Sequence, residues 1–522
     1  MDYSKLTIQN FMNLLEFVEG RFTGWYVVFA MAFIVTVSLY SLAFFLSNRI
    51  YLVGSDIFYY LSIADSILDT GKALVPTTDP ASALKTPQNG IVLIHLILAK
   101  LGLGAESRLV SITVINYLAH ISAVFPLYKI SRRMGIRSWL GVIALMAVYL
   151  AAFHVYRMQL LPINDGIFNA ASVWLTYLLI VVVDDFEDWY RERGLGSTKL
   201  WVTVAVLVLL AGVIVQFRIN GAIVVFAGLV AAVAVRKFGP AICALLAFVS
   251  SLLSVGLFYL LTIDRSHLNE ETAQAFEGFA SRLVSNAFHL VTEIIPFLLL
   301  VQLGKYSKII GPMFVVVIAL SICFLLLSGY KSRRGSDLVV ALSLMGGILF
   351  LELLYFQHHR LLIYILPLIA LVLLSARYTY TRVFGYGLAG LIVLSSVVTF
   401  YRGFDQASET QFWAYIKDSK ISLPEDEILL ITERDRHSYF FLSTPATRQE
   451  ISIDMILARK SVFIVGDSTF RAKTVDQLKE VAQKAGFKFD VSSLTPGYRD
   501  LEGHEIIVLS NFARVLIGAE PS

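Results

Sequence analysis

Four short polar stretches interrupt an otherwise apolar chain, and each carries side chains able to do chemistry. Ser55-Asp56-Ile57-Phe58-Tyr59-Tyr60 puts a carboxylate at the start of a segment whose apolar residues Phe58, Leu61, Ile67 and Leu68 recur at helical spacing. A carboxylate there, flanked by aromatics such as Tyr59, suits a general base toward an arriving hydroxyl; Asp56 or Ser55 equally suits an N-cap, and the two roles are compatible. A second acid stands in Leu161-Pro162-Ile163-Asn164-Asp165-Gly166, where the turn-formers before an apolar run also suit a helix cap. Cations follow in Gln216-Phe217-Arg218-Ile219-Asn220-Gly221 and in His358-His359-Arg360. Arginine's planar fork of donors grips phosphate well, which is one role for Arg360; lying at the interface against lipid headgroups is the other. His358 and His359 are adjacent, so on a helix they point about 100° apart and do not suit a shared metal.

The elements that must position these residues are membrane helices. With 57% hydrophobic and 16% charged residues and a mean hydropathy of +0.70, a soluble fold would have nowhere to put its apolar surface. Runs long enough to cross ~30 Å of hydrocarbon recur near 25–46, 109–128, 139–156, 166–183, 200–216, 219–235, 240–262, 310–328, 338–355, 361–376 and 383–401, about eleven in all. Basic clusters alternate with them: Lys129, Arg132, Arg133 and Arg137, then Arg191 and Arg193, Arg236 and Lys237, Lys331, Arg333 and Arg334, and Arg377 and Arg382. An N-terminus inside places every cluster in the cytoplasm, and so places 47–108, 157–165, 263–309, 356–360 and everything after Tyr401 outside. All four polar stretches then collect on the outer face. The run 287–303 is read as a helix along the outer interface, because counting it as a span would invert Lys331 to Arg334.

Before the first span, Tyr3 to Glu19 reads as an amphipathic helix on the cytoplasmic face. The first span is too long for a signal h-region and lacks an A-x-A-like cleavage site, so it is expected to remain as an anchor. The net charge of +4 is small and its basic residues are scattered, which argues against a nucleic-acid partner. Cys243 and Cys323 sit in apolar runs and read as small core hydrophobes. From about Gly403 the composition becomes that of a soluble domain, with strand-like runs Glu427–Thr432, Ser461–Val465 and Glu505–Leu509 and a helix over Val475–Ala485. The expected architecture is therefore a mainly α membrane bundle over 1–402, with an outer loop 47–108, and a small exported α/β domain over 403–522.

Read in order, GSDIFYYLSIADSILDTG, TPQNGIVLIHLILAKLG and ESRLVSITVINYLAHISAVFPLYKISRRMG resemble the opening of the GT-C superfamily of polyprenyl-phosphate-sugar glycosyltransferases. That family places an acid in the first outer loop, then a Pro-containing helix along the membrane, then a span that starts near an Arg and ends in a basic turn; Asp56, Pro87, Arg108 and Arg132 stand in those places. LPINDGIFNAASVWLTYLL, QFRINGAIVV and HHRLLIYILPLIALVLLSA resemble the second acidic loop, the Arg-x-Asn-Gly turn and the Arg-Tyr-Leu-Leu-Pro-like span, so the likeness covers about 24–400. Thr86-Pro87-Gln88-Asn89 departs from the protein O-mannosyltransferases and lipid A aminoarabinose transferases on the acceptor side. Asn164-Asp165-Gly166 departs from the Asp-Asn-Glu of the oligosaccharyltransferase catalytic subunit.

The resemblance implies an inverting transfer of one sugar from a polyprenyl-phosphate donor to a hydroxyl of a glycan, lipid or protein on the outer face; the two cysteines in apolar runs and the absence of a long outer insert point to a prokaryotic inner membrane. It makes Asp56 the base, gives Asp165 a supporting role, and assigns the departing polyprenyl phosphate to Arg360, with Arg218 or His359 assisting. The expected cavity is lined by Asp56, Tyr59, Asp165, Arg218, His359 and Arg360. No cofactor is required in this reading, with a divalent metal left as an open alternative. The rival readings are a lipid-linked-sugar transporter or flippase and a non-catalytic scaffold of the same fold.

Overall fold

The computed structural model describes residues 25–46, 55–71, 89–152, 163–218, 221–262, 307–354, 364–375, 379–402, 428–432, 446–447, 461–466, 468–484, 486, 495–499 and 505–510. Among them the helices are α1 (Trp25–Leu46), α2 (Ser55–Thr70), α3 (Asn89–Lys100), α4 (Ala105–Ser122), α5 (Val124–Arg133), α6 (Trp139–Ala151), α7 (Asn164–Arg193), α8 (Thr198–Phe217), α9 (Gly221–Ala234), α10 (Phe238–Thr262), α11 (Ser307–Ser332), α12 (Gly335–Leu354), α13 (Leu366–Ser375) and α14 (Thr379–Arg402). The described parts of the eleven runs read as spans fall on these helices, those of 109–128 on the α4–α5 pair. Five stretches are by themselves long and apolar enough to cross a membrane: Ala105–Arg133, Asn164–Arg193, Thr198–Phe217, Phe238–Gly256 and Pro312–Ser332. The chain is a multi-pass membrane protein. The expected helices at 3–19 and 287–303 lie outside the described residues.

The chain divides into two compact units, Met1–Leu46 with Pro87–Ile91 and Glu106–Phe404, and Ser47–Thr86 with Val92–Ala105 and Asp405–Ser522. In the first unit α7 is central: 78% of its apolar window is buried, against no more than 44% for the other long spans. It packs on α5, α8, α9, α10 and α12. The outward faces of α8, α10 and α11 carry exposed leucine and valine, including Leu209, Val213, Leu253, Leu320 and Leu327, which is the surface a lipid tail covers. Cys243 is buried as expected, but Cys323 is exposed on this lipid-facing surface, where apolar character does not require a place in the protein core.

Where helices meet, small side chains and hydroxyls set the distance. Ser250, Ser251 and Ser254 on α10 donate to the Val208, Ala211 and Gly212 carbonyls of α8 at 3.0, 2.9 and 2.7 Å. Such interhelical bonds replace the hydrophobic drive that lipid cannot supply. The α4–α5 break falls at Ala123, just where Pro126 removes an amide donor and crowds the carbonyl four residues back, at Ser122. At one end of the bundle Arg133 forms two bonds to Asp185 at 2.8 and 2.6 Å and lies 3.8 Å from Asp184. Lys237 donates to the Val183 carbonyl at 2.9 Å, and the Gly335 amide donates to Asp184 Oδ1 at 2.9 Å. Three helix connections that the sequence marks as basic are thus tied to one turn of α7.

In the second unit the described strands β1 (Ile428–Thr432), β2 (Ala446–Thr447), β3 (Ser461–Gly466), β4 (Thr495–Arg499) and β5 (Glu505–Ser510) form one sheet in the order β2-β1-β3-β5-β4. β1 runs parallel to β2 and β3, while β5 runs antiparallel to β3 and β4. Helix α15 (Ser468–Lys484) buries Thr474, Val475, Leu478 and Ala482 and packs on β3. It begins seven residues before the expected start at Val475. β2 is two residues long, and β4 contains Thr495-Pro496-Gly497, so neither carries a strand pattern; β4 tolerates Pro496 because it is an edge strand with a bulge between Pro496 and Tyr498.

The tie at Asp184 depends on Gly335 having no side chain: a Cβ there would collide with Val183 Cγ1 and lie 2.6 Å from Asp184 Oδ1. Gly335→Ala is expected to lower thermal stability in detergent by about 1–3 kcal/mol. Gly256→Ala, whose Cβ would meet nothing within 4 Å, should leave the melting temperature unchanged or raise it.

Candidate functional site

Asp165 is the second residue of α7, and its carboxylate forms an ion pair with Arg218 in which both side chains are almost wholly buried, at 4% and 7% exposure. Ile163 caps the helix in extended backbone, so Asp165 falls in the first turn, where the helix dipole favours a negative charge. Arg218 is extended too, at φ −156° and ψ 130°, and ends α8 just before α9 begins. Its amide still bonds the Ile214 carbonyl at 3.0 Å, which holds the residue at the helix end while its side chain turns toward Asp165.

Flanking amides fix this pair. Asn164 Nδ2 donates to the Phe217 carbonyl at 2.6 Å, tying the start of α7 to the end of α8 through residues adjacent to the ion pair. Asn116 Nδ2 on α4 donates to the Ile163 carbonyl at 3.0 Å, and Gln216 Nε2 donates to Ser254 Oγ at 2.6 Å and to its carbonyl at 2.9 Å. The start of α3 joins them, because Gly90 lies against the Phe217 ring so closely that a Cβ would come within 2.9 Å of it. Four helix ends therefore converge on residues 163–165 and 216–218.

The same face of α7 continues inward as a polar stripe. Asn169, one turn beyond Asp165, is 1% exposed, and neither end of its amide finds a hydrogen-bond partner among the described residues; Asp165 Oδ2 likewise has none. Phe168 packs edge-on against Tyr364, ring centroids 5.4 Å apart, and the Tyr364 hydroxyl sits over Gly347 of α12. That hydroxyl is also buried without a partner among the described residues. Buried groups of this kind are costly to leave unpaired, and a water or a bound polar molecule would satisfy them.

The structure thus brings Asp165 and Arg218 together, and it brings Tyr364, four residues after Arg360 in the chain, onto the same helix. Asp56 is the second residue of α2, at a helix start as its spacing implied. The side chains of Asp56 and Tyr59, and the whole of His358, His359 and Arg360, lie outside the described residues. Asn116, Asn164, Asn169 and Tyr364 were not singled out from sequence. A signal for three of them existed: an asparagine in or bordering a membrane span is rare unless it is paired or functional. Nothing marks Tyr364, whose role depends on which helix it meets.

Among the described residues no group of three or more His, Cys, Asp or Glu converges as a metal site. Asp165 is also a poor metal ligand as placed, because the guanidinium of Arg218 already neutralises it.

No family model matches the chain and no curated protein matches it by sequence. Solved structures do match its fold. ArnT from Cupriavidus metallidurans in the apo state superposes with a TM-score of 0.52 at 12% identity, covering 96% of this chain and 99% of ArnT. The same protein bound to undecaprenyl phosphate gives 0.51 at 13% identity over 93% and 98%. The archaeal oligosaccharyltransferase AglB from Archaeoglobus fulgidus, in complex with an inhibitory peptide and a dolichol-phosphate, gives 0.51 at 11% identity over 84% of this chain and 69% of AglB. The chain shares the fold of ArnT and AglB.

The buried pair is expected to behave as a unit. Asp165→Asn or Arg218→Gln alone should destabilise the protein by about 3–5 kcal/mol, since each leaves one buried charge uncompensated. The double variant should recover most of that loss. Thermal unfolding of the three purified variants in detergent measures it, and additive losses would mean that the two residues are not coupled.

Proposed function

We propose that this protein is an integral-membrane glycosyltransferase that moves one sugar from a polyprenyl-phosphate donor to a hydroxyl acceptor. The observation that carries the reading is the fold shared over nearly the whole length of both chains with ArnT, a protein solved with undecaprenyl phosphate bound. AglB, whose structure holds a dolichol-phosphate, supports the same donor class. Identity is low, so the fold supports the reaction class, and the residues of this chain must supply the rest.

In this mechanism Asp56 takes the proton from the acceptor hydroxyl as its oxygen attacks the anomeric carbon. The bond from that carbon to the phosphate oxygen breaks on the opposite side, and the configuration inverts. The electron pair leaves with the polyprenyl phosphate, whose charge Arg360 stabilises, with His358 or His359 alongside. Tyr59 stands one turn from Asp56 and would pack against the sugar or acceptor. Asp165 and Arg218 act together: the ion pair keeps the ends of α7 and α8 in a fixed place, while Asp165 Oδ2 and the Asn169 amide remain able to hold a polar group. A site held in one geometry before substrate arrives contributes to rate because little reorganisation is left for the reaction itself.

The reading makes no use of a metal, since Arg218 supplies at Asp165 the positive charge that a cation would bring. We expect a chelator to leave activity largely intact; strong stimulation by Mn²⁺ would contradict the assignment.

The central test uses purified protein, a labelled polyprenyl-phosphate sugar and membrane extract as the source of acceptor. Asp56→Asn should lower turnover about 10²–10⁴-fold without changing the melting temperature, as expected for loss of a general base. Arg360→Ala should weaken donor binding more than it alters stability. Retention of most activity by Asp56→Asn would remove the proposed mechanism, and formation of no glycosylated product from any polyprenyl-phosphate sugar would remove the reaction class.

A further inference from the structure

The end of the bundle opposite Asp165 carries cations that the transfer reaction does not use. Three helices end there in the same way, with a residue in the left-handed region followed by a closing pair of backbone bonds. After α5 that residue is Gly135, at φ 84°, and the Gly135 and Ile136 amides donate to the Arg132 and Ser131 carbonyls at 3.2 and 2.9 Å. After α9 it is Arg236, at φ 59°, with the Arg236 and Lys237 amides on Val233 and Ala232 at 2.9 and 3.2 Å. After α11 it is Arg333, at φ 51°, with the Arg333 and Arg334 amides on Tyr330 and Gly329 at 3.4 and 2.9 Å.

Among the described residues Arg236 and Arg333 are the only non-glycine residues with positive φ. Glycine adopts this conformation freely, whereas any Cβ meets the neighbouring carbonyl. The turn at Gly135 shows that the motif needs no side chain. At the other two turns an arginine is kept against the local steric preference, which points to a use for the guanidinium.

Both arginines are exposed, and neither they nor the exposed Arg334 and Lys331 form a side-chain ion pair among the described residues. The two turns stand side by side, because Lys237 bonds Val183 and Gly335 bonds Asp184 on one turn of α7. Of the acids at this end, Asp185 is engaged by Arg133 and Asp184 by Gly335 with Arg133 close by, while Asp337, in the first turn of α12 against Gly329, is buried and forms no ion pair with these arginines. Glu187 and Asp188 lie further along α7. Beside the cations are two large exposed aromatics, Phe238 at 82% and Tyr330 at 54%. Unpaired arginine next to an uncovered aromatic at the end of a membrane helix suits the boundary between headgroups and acyl chains.

We propose that Arg236 and Arg333, with Arg334, form a binding site for the phosphate headgroups of anionic lipids in the adjoining leaflet, with Phe238 and Tyr330 against the acyl chains. The site is independent of the glycosyl-transfer reading. It anchors the α9–α10 and α11–α12 connections, and through them α7, to the bilayer surface.

The test compares wild type with Arg236→Gly/Arg333→Gly, purified in a neutral detergent and melted while phosphatidylglycerol, phosphatidylcholine or inorganic phosphate is titrated in. Without lipid the variant should melt at or above the wild-type temperature, because glycine relieves the left-handed backbone. Phosphatidylglycerol should raise the wild-type melting temperature, and the variant should need about thirtyfold more of it for the same rise, as two lost surface cations imply. Phosphatidylcholine should not discriminate between the two proteins. Equal phosphatidylglycerol titrations would overturn the proposal, and so would a wild-type rise with inorganic phosphate equal to that with lipid, which would make this a free-anion site. A variant melting well below wild type without lipid would show that the side chains hold the turns structurally. Arg236→Asn/Arg333→Asn, which also tolerates this backbone, serves if the glycine variant fails to fold.

Discussion

A charge left unpaired in hydrocarbon is too costly to keep, and α7 carries acids at both ends of its apolar stretch. Asp165 and Asp184 are separated along that helix by roughly 29 Å, about the thickness of a bilayer's apolar core. Each must find a cation from another element at its own level, Arg218 at one end and Arg133 at the other. Satisfying both conditions fixes how α7 sits among its neighbours, and the remaining helices pack to that frame. The burial of α7 follows from this, since the helix that collects partners from so many others has little surface left for lipid.

The two ends solve the problem differently. Around Asp184 and Asp185 the side chains are partly exposed, and the bonds come from a guanidinium, an ammonium on a carbonyl and a backbone amide. Such an arrangement tolerates water and acts as a fastening. Around Asp165 the pair is almost wholly buried, with asparagine amides occupying the neighbouring carbonyls. In a low dielectric each polar contact is stronger and each unmet one more expensive, so this end is rigid and chemically consequential. The unmatched oxygen of Asp165 and the amide of Asn169 become tolerable if, as proposed, polar groups of the substrates supply their partners.

The eleven apolar runs, the basic ends of the helices and the helical start at Asp56 were legible in the sequence, because hydropathy and charge are properties of single segments. The strands β1, β3 and β5 were legible for the same reason. β2 was too short to show a period, and β4 was hidden by a proline and a glycine that an edge position permits. Cys323 illustrates the limit of composition inside a membrane: an apolar residue there has two places to go, protein or lipid, and its sequence does not choose.

The pairing of Asp165 with Arg218 shows where local information stops. Sequence and topology placed both residues on one face, but 52 residues of chain, including most of two helices, lie between them, and the contact exists only because α8 returns beside α7. Asn164 read only as a turn-former until that same return brought the Phe217 carbonyl to it, and Asn116 had no visible purpose until α4 packed beside the Ile163 carbonyl. Residue chemistry and periodicity, local along the chain, determined the solvent this protein lives in, its helices and the class of groups able to react. Which of those groups meet was decided by helix packing, because close approach in a bilayer depends on glycines, serines and buried charges drawn from segments far apart in sequence.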